Sequence, residues 1–443
     1  MIIRLVLALM LLALPLRAEV AIQEVTSPGG ITAWLVQEPG IPFTALELRF
    51  RGGTSLDAPG KRGAVNLMTA LIEEGAADLD AQGFAAARDA LAAEYRFGVG
   101  QDALSVSARF LTENRDSAVD LLRKALIAPR FDADALERVR GQVLSSIRSD
   151  AKDPNALAGQ AFNAAAFGSH PYGSSGDGTE ASVSALSRGD ILAAHQGALA
   201  HDRIYAAAVG DISPEQLGAL LDHLLGDLPS VGAPLPGRAD DGLIGGLTGG
   251  LTGGVTVQDF PSPQSVILFG HKGIKRDDPD FFAAYLLNEI LGGGRFTARL
   301  MVELREKRGL TYGISTYLMP MDQAELVLGQ FATDNKTVAQ AIDLVREQWA
   351  LVAREGVSEA ELAAAKTYVT GSYPLRFDGN GPIARILVGM QIQGLPIDYS
   401  ATRNARIEAV TLADIKRVAA RLLQPAALHF MVVGQPVALV SNN

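Results

Sequence analysis

Residues 183–191, VSALSRGDI, are matched 224 positions later by residues 407–415, IEAVTLADI. In each copy a hydroxyl residue stands three residues before an aspartate. This pattern is typical of a helix start, because the hydroxyl accepts a backbone N–H and the acid lies in the positive first turn. A β-rich segment follows each copy, at 204–209 and at 428–433. The repeated cap, strand and spacing predict two homologous domains.

The rest of the sequence indicates what kind of domains these are. Each half mixes strands and long helices without a strict βαβ alternation, so we predict an α+β fold with a mostly antiparallel sheet packed with helices in each domain. The N-terminal domain is predicted at 19–228 and the C-terminal domain at 256–443. Residues 229–255, which contain GGLTGGLTGG, have the composition of a flexible linker. A functional glycine-rich loop is the alternative.

The first residues have the pattern of a secretion signal. Arg4 precedes an apolar run at 5–14, and the small residue Ala18 comes shortly after it. The run is too short to span a bilayer as a helix, which takes roughly 20 residues. We therefore predict that residues 1–18 are a signal peptide and that the protein is periplasmic or otherwise exported. A short membrane anchor is the alternative.

Composition limits the classes of function. The net charge of −10 and the pI near 5.2 argue against nucleic acid and against an anionic membrane surface as partners. Because the sequence has no cysteine, it has no thiol nucleophile and no disulfide. A nucleophile elbow, a P-loop and a Rossmann fingerprint are also missing from it.

Residues 51–75 read RGGTSLDAPGKRGAVNLMTALIEEG. A glycine-rich turn and a Pro-Gly-Lys/Arg-Gly segment before an apolar helix resemble the start of the zinc helix in the pitrilysin/insulinase-type peptidases, the inverzincins. The resemblance extends over essentially the whole chain after the predicted signal. In that family the helix carries His-x-x-Glu-His, which gives two zinc ligands and the Glu that polarises water, and a later Glu is the third ligand.

The zinc chemistry of this pattern is missing from the sequence. Asn66 and Ala70 stand at the positions of the two His. Thr69 stands at the position of the general base, and Ser146 at that of the distal Glu. The six histidines show no paired metal spacing, and His170 is interpreted as a loop residue. We therefore predict that 64–74 is an amphipathic core helix and that this chain holds neither a metal nor another cofactor.

The C-terminal half keeps a second part of the family's site. Residues 304–312 read LREKRGLTY, and the resemblance implies that Arg308 and Tyr312 match an Arg/Tyr pair that faces the zinc from the opposite domain. A guanidinium and a phenol O–H are suited to a carbonyl oxygen that gains negative charge. We predict a helix at 295–307 and expect Gly309 to end the helix that carries Arg308. A solvated basic helix end is the alternative.

A glycine triplet precedes this segment. Gly292, Gly293 and Gly294 resemble the glycine-rich loop at the same place in non-zinc subunits of the family. The triplet either gives a substrate access to the backbone or only turns the chain into the next helix, and both interpretations are kept.

The resemblance implies a division of labour between two chains. A sister subunit with His-x-x-Glu-His holds zinc and the general base, and this chain adds Arg308 and Tyr312 around unfolded peptide substrates. On its own the chain is not expected to cleave peptides. A non-catalytic peptide-binding or assembly protein of the same fold is the alternative, and a stand-alone hydrolase is disfavoured by the missing motifs.

Overall fold

The computed structural model describes residues 21–239 and 253–441. The predicted signal peptide lies outside these ranges, and so does most of the glycine-rich repeat. Within them, no helix is both long enough and apolar enough to cross a membrane.

The N-terminal half is built on a sheet with the strand order β1-β2-β8-β3-β7-β6. Its neighbouring strands are antiparallel except for the parallel pair β2 and β8. The strands described in this half are β1 Gln23–Thr26, β2 Thr32–Gln37, β3 Phe43–Arg51, β4 Gly75–Ala76, β5 Leu79–Asp80, β6 Glu94–Val99, β7 Ala103–Leu111 and β8 Ile204–Gly210. The helices are α1 Ala64–Leu71, α2 Ala81–Ala90, α3 Arg115–Ile127, α4 Ala133–Asp150, α5 Pro154–Phe167, α6 Glu180–Ser184, α7 Arg188–Ala198 and α8 Pro214–Leu225.

The C-terminal half repeats this plan. Its sheet has the order β9-β13-β10-β12-β11, and its parallel pair, β9 and β13, lies at one edge, whereas the parallel pair of the N-terminal sheet has an antiparallel neighbour on each side. The strands are β9 Gly254–Asp259, β10 Gln264–Lys272, β11 Ile314–Pro320, β12 Glu325–Asp334 and β13 His429–Gly434. The helices are α9 Phe281–Gly292, α10 Val338–Glu355, α11 Glu359–Ser372, α12 Asn380–Ile392, α13 Tyr399–Ala409 and α14 Leu412–Leu422. The predicted α+β fold of two similar halves is confirmed.

The repeated helix starts are capping boxes. In α7 the Ser187 hydroxyl accepts the Asp190 backbone N–H, and the Asp190 carboxylate accepts the Ser187 N–H at 2.8 Å. In α14, Thr411 and Asp414 make the same pair of bonds, at 2.9 Å for the bond from the Thr411 N–H. The sequence pattern therefore identifies both helix starts correctly, because the two bonds satisfy donors that the helix itself leaves open.

The two halves exchange one helix each. Helix α5, from the N-terminal half, lies across β10 and β13 of the C-terminal sheet. Its Phe162 and Phe167 are fully buried in a cluster with Leu326, Leu328 and Met431. Helix α12, from the C-terminal half, lies in the corresponding way across β3 and β8. Each sheet thus packs against helices of its own half on one face and against a helix of the other half on the opposite face.

The second exchanged helix has a core of its own. Leu387 and Val388 of α12 are completely buried and belong to one cluster with Trp34 and Val209 of the N-terminal sheet. The Gln391 side-chain amide also donates to the backbone of β8, at 2.7 Å. Because both exchanged helices bury apolar side chains, separating the halves exposes two hydrophobic cores.

The described ends of the predicted linker are more ordered than its composition suggests. Gly254 and Val255 belong to β9, so this strand begins two residues inside the predicted linker. Ala239 is buried, and its N–H donates to the Gln323 carbonyl at 2.8 Å. The Ala233 N–H donates to the N-terminal half, at the Gly197 carbonyl, at 2.9 Å. Strand pairing and these bonds hold both ends, because a buried backbone needs partners.

Candidate functional site

The helix that resembles the zinc helix is shorter than predicted and serves as structure. It covers Ala64–Leu71 instead of 64–74 and starts after Gly63, whose φ of 94° favours glycine. The Asp57 carboxylate accepts the N–H groups of Gly63 and Val65, both at 2.8 Å. Carboxylate acceptors at a helix start offset its unpaired N–H groups. The helix is therefore fixed at its beginning by Asp57.

The positions that resemble zinc ligands are used in other ways. Asn66 donates its side-chain amide to Asp177 at 3.0 Å, and the buried Thr69 hydroxyl donates to the Val65 carbonyl at 2.7 Å. Ala70 and Ser146 are exposed and offer no imidazole or carboxylate. In the described ranges, no group of three or more His, Cys, Asp and Glu side chains is placed to hold a metal ion. The residues at this helix do not fit zinc, which takes three N, O or S ligands from the protein.

His170 lies in a loop, before a short 3-10 turn at Pro171–Gly173. Its Nδ1 accepts the Tyr172 N–H at 3.1 Å, so Nε2 carries the proton and donates to the Gly237 carbonyl at 3.0 Å. Burial lowers the pKa of this imidazole. Backbone partners hold both ring nitrogens, and the residue has a structural role.

The Arg/Tyr segment differs from its prediction at its start. The helix occupies 299–306 instead of 295–307, and Met301–Glu306 is π-helical. Residues 295–298 form a turn closed by the Ala298 N–H, which donates to the Arg295 carbonyl at 3.0 Å. Gly309, with φ at 62°, ends the helix as predicted. Arg308 therefore lies in the closing turn.

Arg308 is held by an ion pair within its own segment. Its Nη1 donates to the Glu303 carboxylate at 2.6 Å and to the Glu303 carbonyl at 2.9 Å. Lys307 donates to the same carboxylate at 2.6 Å. Hydrogen bonds from Lys307 and Arg308 lower the pKa of Glu303, which therefore stays charged. The guanidinium must leave Glu303 before it can bind another carboxylate or a carbonyl with the same nitrogen.

Tyr312, in contrast to the ion-paired Arg308, extends into solvent. Its side chain is 87% exposed and stands just before β11, the outermost strand of the C-terminal sheet. Three residues before Arg308, Arg305 lies over the ring of Phe296 at 4.6 Å, and that ring is itself 62% exposed. The ion-pair partner of Arg305 is its neighbour Glu306, at 3.5 Å. Tyr312 is thus an exposed phenol donor, and Arg305 with Phe296 forms a separate, partly exposed cation–π pair in the same segment.

Phe296 and Arg305 were not singled out from the sequence. A phenylalanine two residues after a glycine triplet, with arginine nine residues later, is a weak signal because neither helix nor strand spacing relates the two. The contact follows from the turn at 295–298, which places Phe296 beside the later helix.

The glycine triplet has two structural members and one open member. A Cβ on Gly292 stands 2.4 Å from the Thr316 hydroxyl oxygen, and one on Gly293 stands 2.7 Å from the backbone of Glu289. Gly294 has free space around it and a φ of 79°. It lines a cavity of about 290 Å³ with Ser315 of the edge strand. Within the triplet, Gly294 therefore leaves room for a substrate to reach the backbone, whereas close packing explains Gly292 and Gly293.

Two family models match the chain. Residues 33–180 match the insulinase (peptidase family M16) model, and residues 185–369 match the peptidase M16 inactive domain. A solved M16 inactive domain from Pseudomonas fluorescens is 27% identical and has a TM-score of 0.86, with 95% of this chain and 99% of that chain covered. These matches define the class as a two-domain protein of the M16 peptidase type.

Curated relatives agree with this class. The non-peptidase homolog YmxG of Helicobacter pylori is 25% identical over 376 residues, which is 85% of each chain. An uncharacterized zinc protease of Mycobacterium leprae is 27% identical and covers 82% of this chain and 80% of its own. The chain belongs to the insulinase-type M16 peptidase family.

Proposed function

We propose that this chain is the non-zinc subunit of an exported, heterodimeric zinc peptidase. A sister chain with His-x-x-Glu-His supplies the metal and the general base. The observation that carries the proposal is the contrast between the halves. The helix that resembles the zinc helix offers no ligand, whereas the C-terminal half presents Tyr312 almost fully to solvent.

Tyr312 and an arginine act on the peptide through hydrogen bonds. The phenol O–H of Tyr312 donates to a carbonyl oxygen, and a guanidinium adds donors with positive charge. Both contribute most when that oxygen gains negative charge. The peptide lies extended beside β11, which is an edge strand within the described sheet, so its backbone adds a strand. Gly294 and the adjoining cavity leave room for it.

The arginine of this pair has two candidates. Arg308 binds the peptide only after it leaves Glu303, so substrate competes with an ion pair. Arg305 is held by the face of Phe296 and by a longer contact to Glu306, and its guanidinium keeps donors free for a ligand. We assign peptide binding to both and expect the larger effect from Arg305.

The second candidate function is a non-catalytic peptide-binding or assembly protein. The ion pair between Arg308 and Glu303 favours it, because a guanidinium that is already neutralised stabilises a developing oxyanion less. On this alternative the chain still associates with a sister and still binds peptide, but cleavage does not depend on its tyrosine.

Reconstitution separates the two functions. The chain is mixed with its zinc-bearing sister, and cleavage of an internally quenched unfolded peptide is measured. We expect no cleavage by this chain alone, cleavage by the mixture, and a loss of about 100-fold in kcat for Tyr312→Phe, since the variant lacks one oxyanion donor. Tyr368→Phe, at a 48% exposed tyrosine on α11, is the matched control. Full activity of Tyr312→Phe contradicts the catalytic role and favours the assembly protein.

The arginine assignment is tested in the same assay. Arg305→Gln and Arg308→Gln are compared with Arg354→Gln, which removes an exposed guanidinium from α10. A rise in KM for the first two and none for the control supports peptide binding. Location is tested separately, by cell fractionation and by sequencing the N-terminus of the purified protein, and a cytoplasmic protein with an intact N-terminus contradicts export.

A further inference from the structure

The face of the N-terminal sheet on which α12 lies carries arginines. Strands β6 and β7 alternate between buried residues, such as Tyr95 and Val106, and more exposed ones. The buried set faces the core helices, as a period of two requires. The opposite face holds Arg96 and Arg109, and α12 lies across the neighbouring strands β3 and β8.

Cross-strand pairing brings these charges together. Arg96 is paired with Ser107, and Ser107 with Glu47 on β3. Glu47 is buried; it accepts from Ser107 at 2.8 Å and from Arg49 at 3.2 Å. Arg385 of α12 approaches the same carboxylate at 3.7 Å. The charge of Glu47 is therefore already shared by two arginines.

Arg96 on β6 and Arg109 on β7 are exposed to solvent. Arg109 is 58% exposed and pairs with the exposed Glu94 at 3.0 Å. Arg96 is exposed and makes no ion pair with any residue in the described ranges. We define the arginine face as Arg49, Arg96, Arg109 and Arg385. Its four positive charges stand against two glutamates, whereas the whole chain carries a net charge of −10.

The fold itself does not require these charges. The strands of the C-terminal sheet pair in the same way. The residues Arg96, Ser107 and Glu47, which lie side by side on β6, β7 and β3, correspond there to Ser315, Gln330 and Leu268. Two residues further along β3, Arg49 corresponds to Gly270. The positions equivalent to Glu47, Arg49 and Arg96 are thus uncharged in the C-terminal sheet. The arginine face is therefore a feature of the N-terminal sheet and of the helix α12 that lies on it.

We infer that the arginine face, which is separate from the edge strand β11, binds acidic side chains of extended peptide substrates, and this inference rests on the proposed function. Arg96 and Arg109 are diagonal neighbours on adjacent strands, which places their Cβ atoms about 7–8 Å apart. Side chains on one side of an extended peptide repeat every second residue, at about 7 Å. A peptide with Glu-x-Glu spacing therefore matches both arginines, and the substrates of the complex are enriched in such acidic segments.

Peptide binding to the full-length chain after signal removal tests this inference. The probes are a fluorescein-labelled 12-residue peptide that alternates Glu with Thr and the same peptide with Gln for Glu. Fluorescence anisotropy at low salt should give an affinity about tenfold higher for the Glu peptide, and 0.3 M salt should reduce the difference, because exposed ion pairs are weak and screened. The double variant Arg96→Gln/Arg109→Gln should bring the two affinities within about twofold.

The matched control is Arg148→Gln/Arg354→Gln, which removes two exposed arginines elsewhere and should keep the preference. Equal affinity of the native chain for the two peptides, no binding of either, or a preference that survives in the Arg96/Arg109 variant overturns the inference. If that variant binds peptide normally but associates less with the sister chain, the face docks the sister and the peptide inference is wrong. Cleavage that still depends on Tyr312 leaves the proposed function intact in each of these cases.

Discussion

Replacing Phe162 with alanine is expected to destabilise both halves of the protein together. The ring lies on α5 and is fully buried against the sheet of the other half. Truncating a buried phenylalanine to alanine costs about 3–5 kcal/mol, from lost burial and from the cavity that remains. With a urea dependence of about 3 kcal/mol per M, the unfolding midpoint falls by about 1–1.7 M.

The two tryptophans make the assay specific to each half. Trp34 is buried in the N-terminal sheet under α12, and Trp349 is buried in the C-terminal core. Trp34→Phe and Trp349→Phe each leave one tryptophan as a fluorescent probe of one half. We expect coincident urea transitions in the two single-tryptophan proteins and a shift of both when Phe162→Ala is added.

An exposed phenylalanine provides the control. Phe296→Ala removes a 62% exposed ring and should change the free energy of unfolding by no more than about 0.5 kcal/mol. If Phe162→Ala shifts only the Trp349 transition and the Trp34 transition stays in place, the halves unfold independently and the coupling through the exchanged helices is refuted.

Two further predictions concern stability. Cap hydrogen bonds lower the pKa of Asp190 and of Asp414 to about 2, so the stabilisation from these carboxylates is present above about pH 4 and is lost towards pH 2. We expect the melting temperatures of the native protein and of the double variant Asp190→Asn/Asp414→Asn to converge as the pH falls. A difference in melting temperature that stays constant with pH contradicts this. Gly292→Ala places a Cβ 2.4 Å from the Thr316 hydroxyl and should cost about 1–3 kcal/mol by thermal melting, and native-like melting contradicts the packing argument.

Local signals in the sequence were sufficient for the plan of each half. The capping pairs at Ser187 and Thr411 depend on contacts three residues apart, so their chemistry is visible in the sequence. The exchange of α5 and α12 is not visible in this way. An apolar helix face shows that it must be buried, but not whether its own sheet or the neighbouring one covers it. Such long-range choices depend on the joint packing of both halves.

The candidate site could be predicted from the sequence to the level of the segment. The glycine triplet, Arg308 and Tyr312 were singled out because they lie in one segment, 292–312, that resembles the family, and their roles stay predictions. Gly309 ends the helix as its positive φ allows. The ion pair of Arg308 with Glu303 and the contact of Arg305 with Phe296 depend on a π-helical turn and a late helix start. The sequence carried no clear signal for either.

The exchange of α5 and α12 also constrains how the molecule is made. During synthesis the N-terminal sheet emerges first, but the helix that closes it ends at residue 392. Until that point one apolar surface stays open, and an unclosed surface of this kind is prone to aggregation. A nascent chain therefore carries this open apolar surface until nearly nine-tenths of its residues have been synthesised.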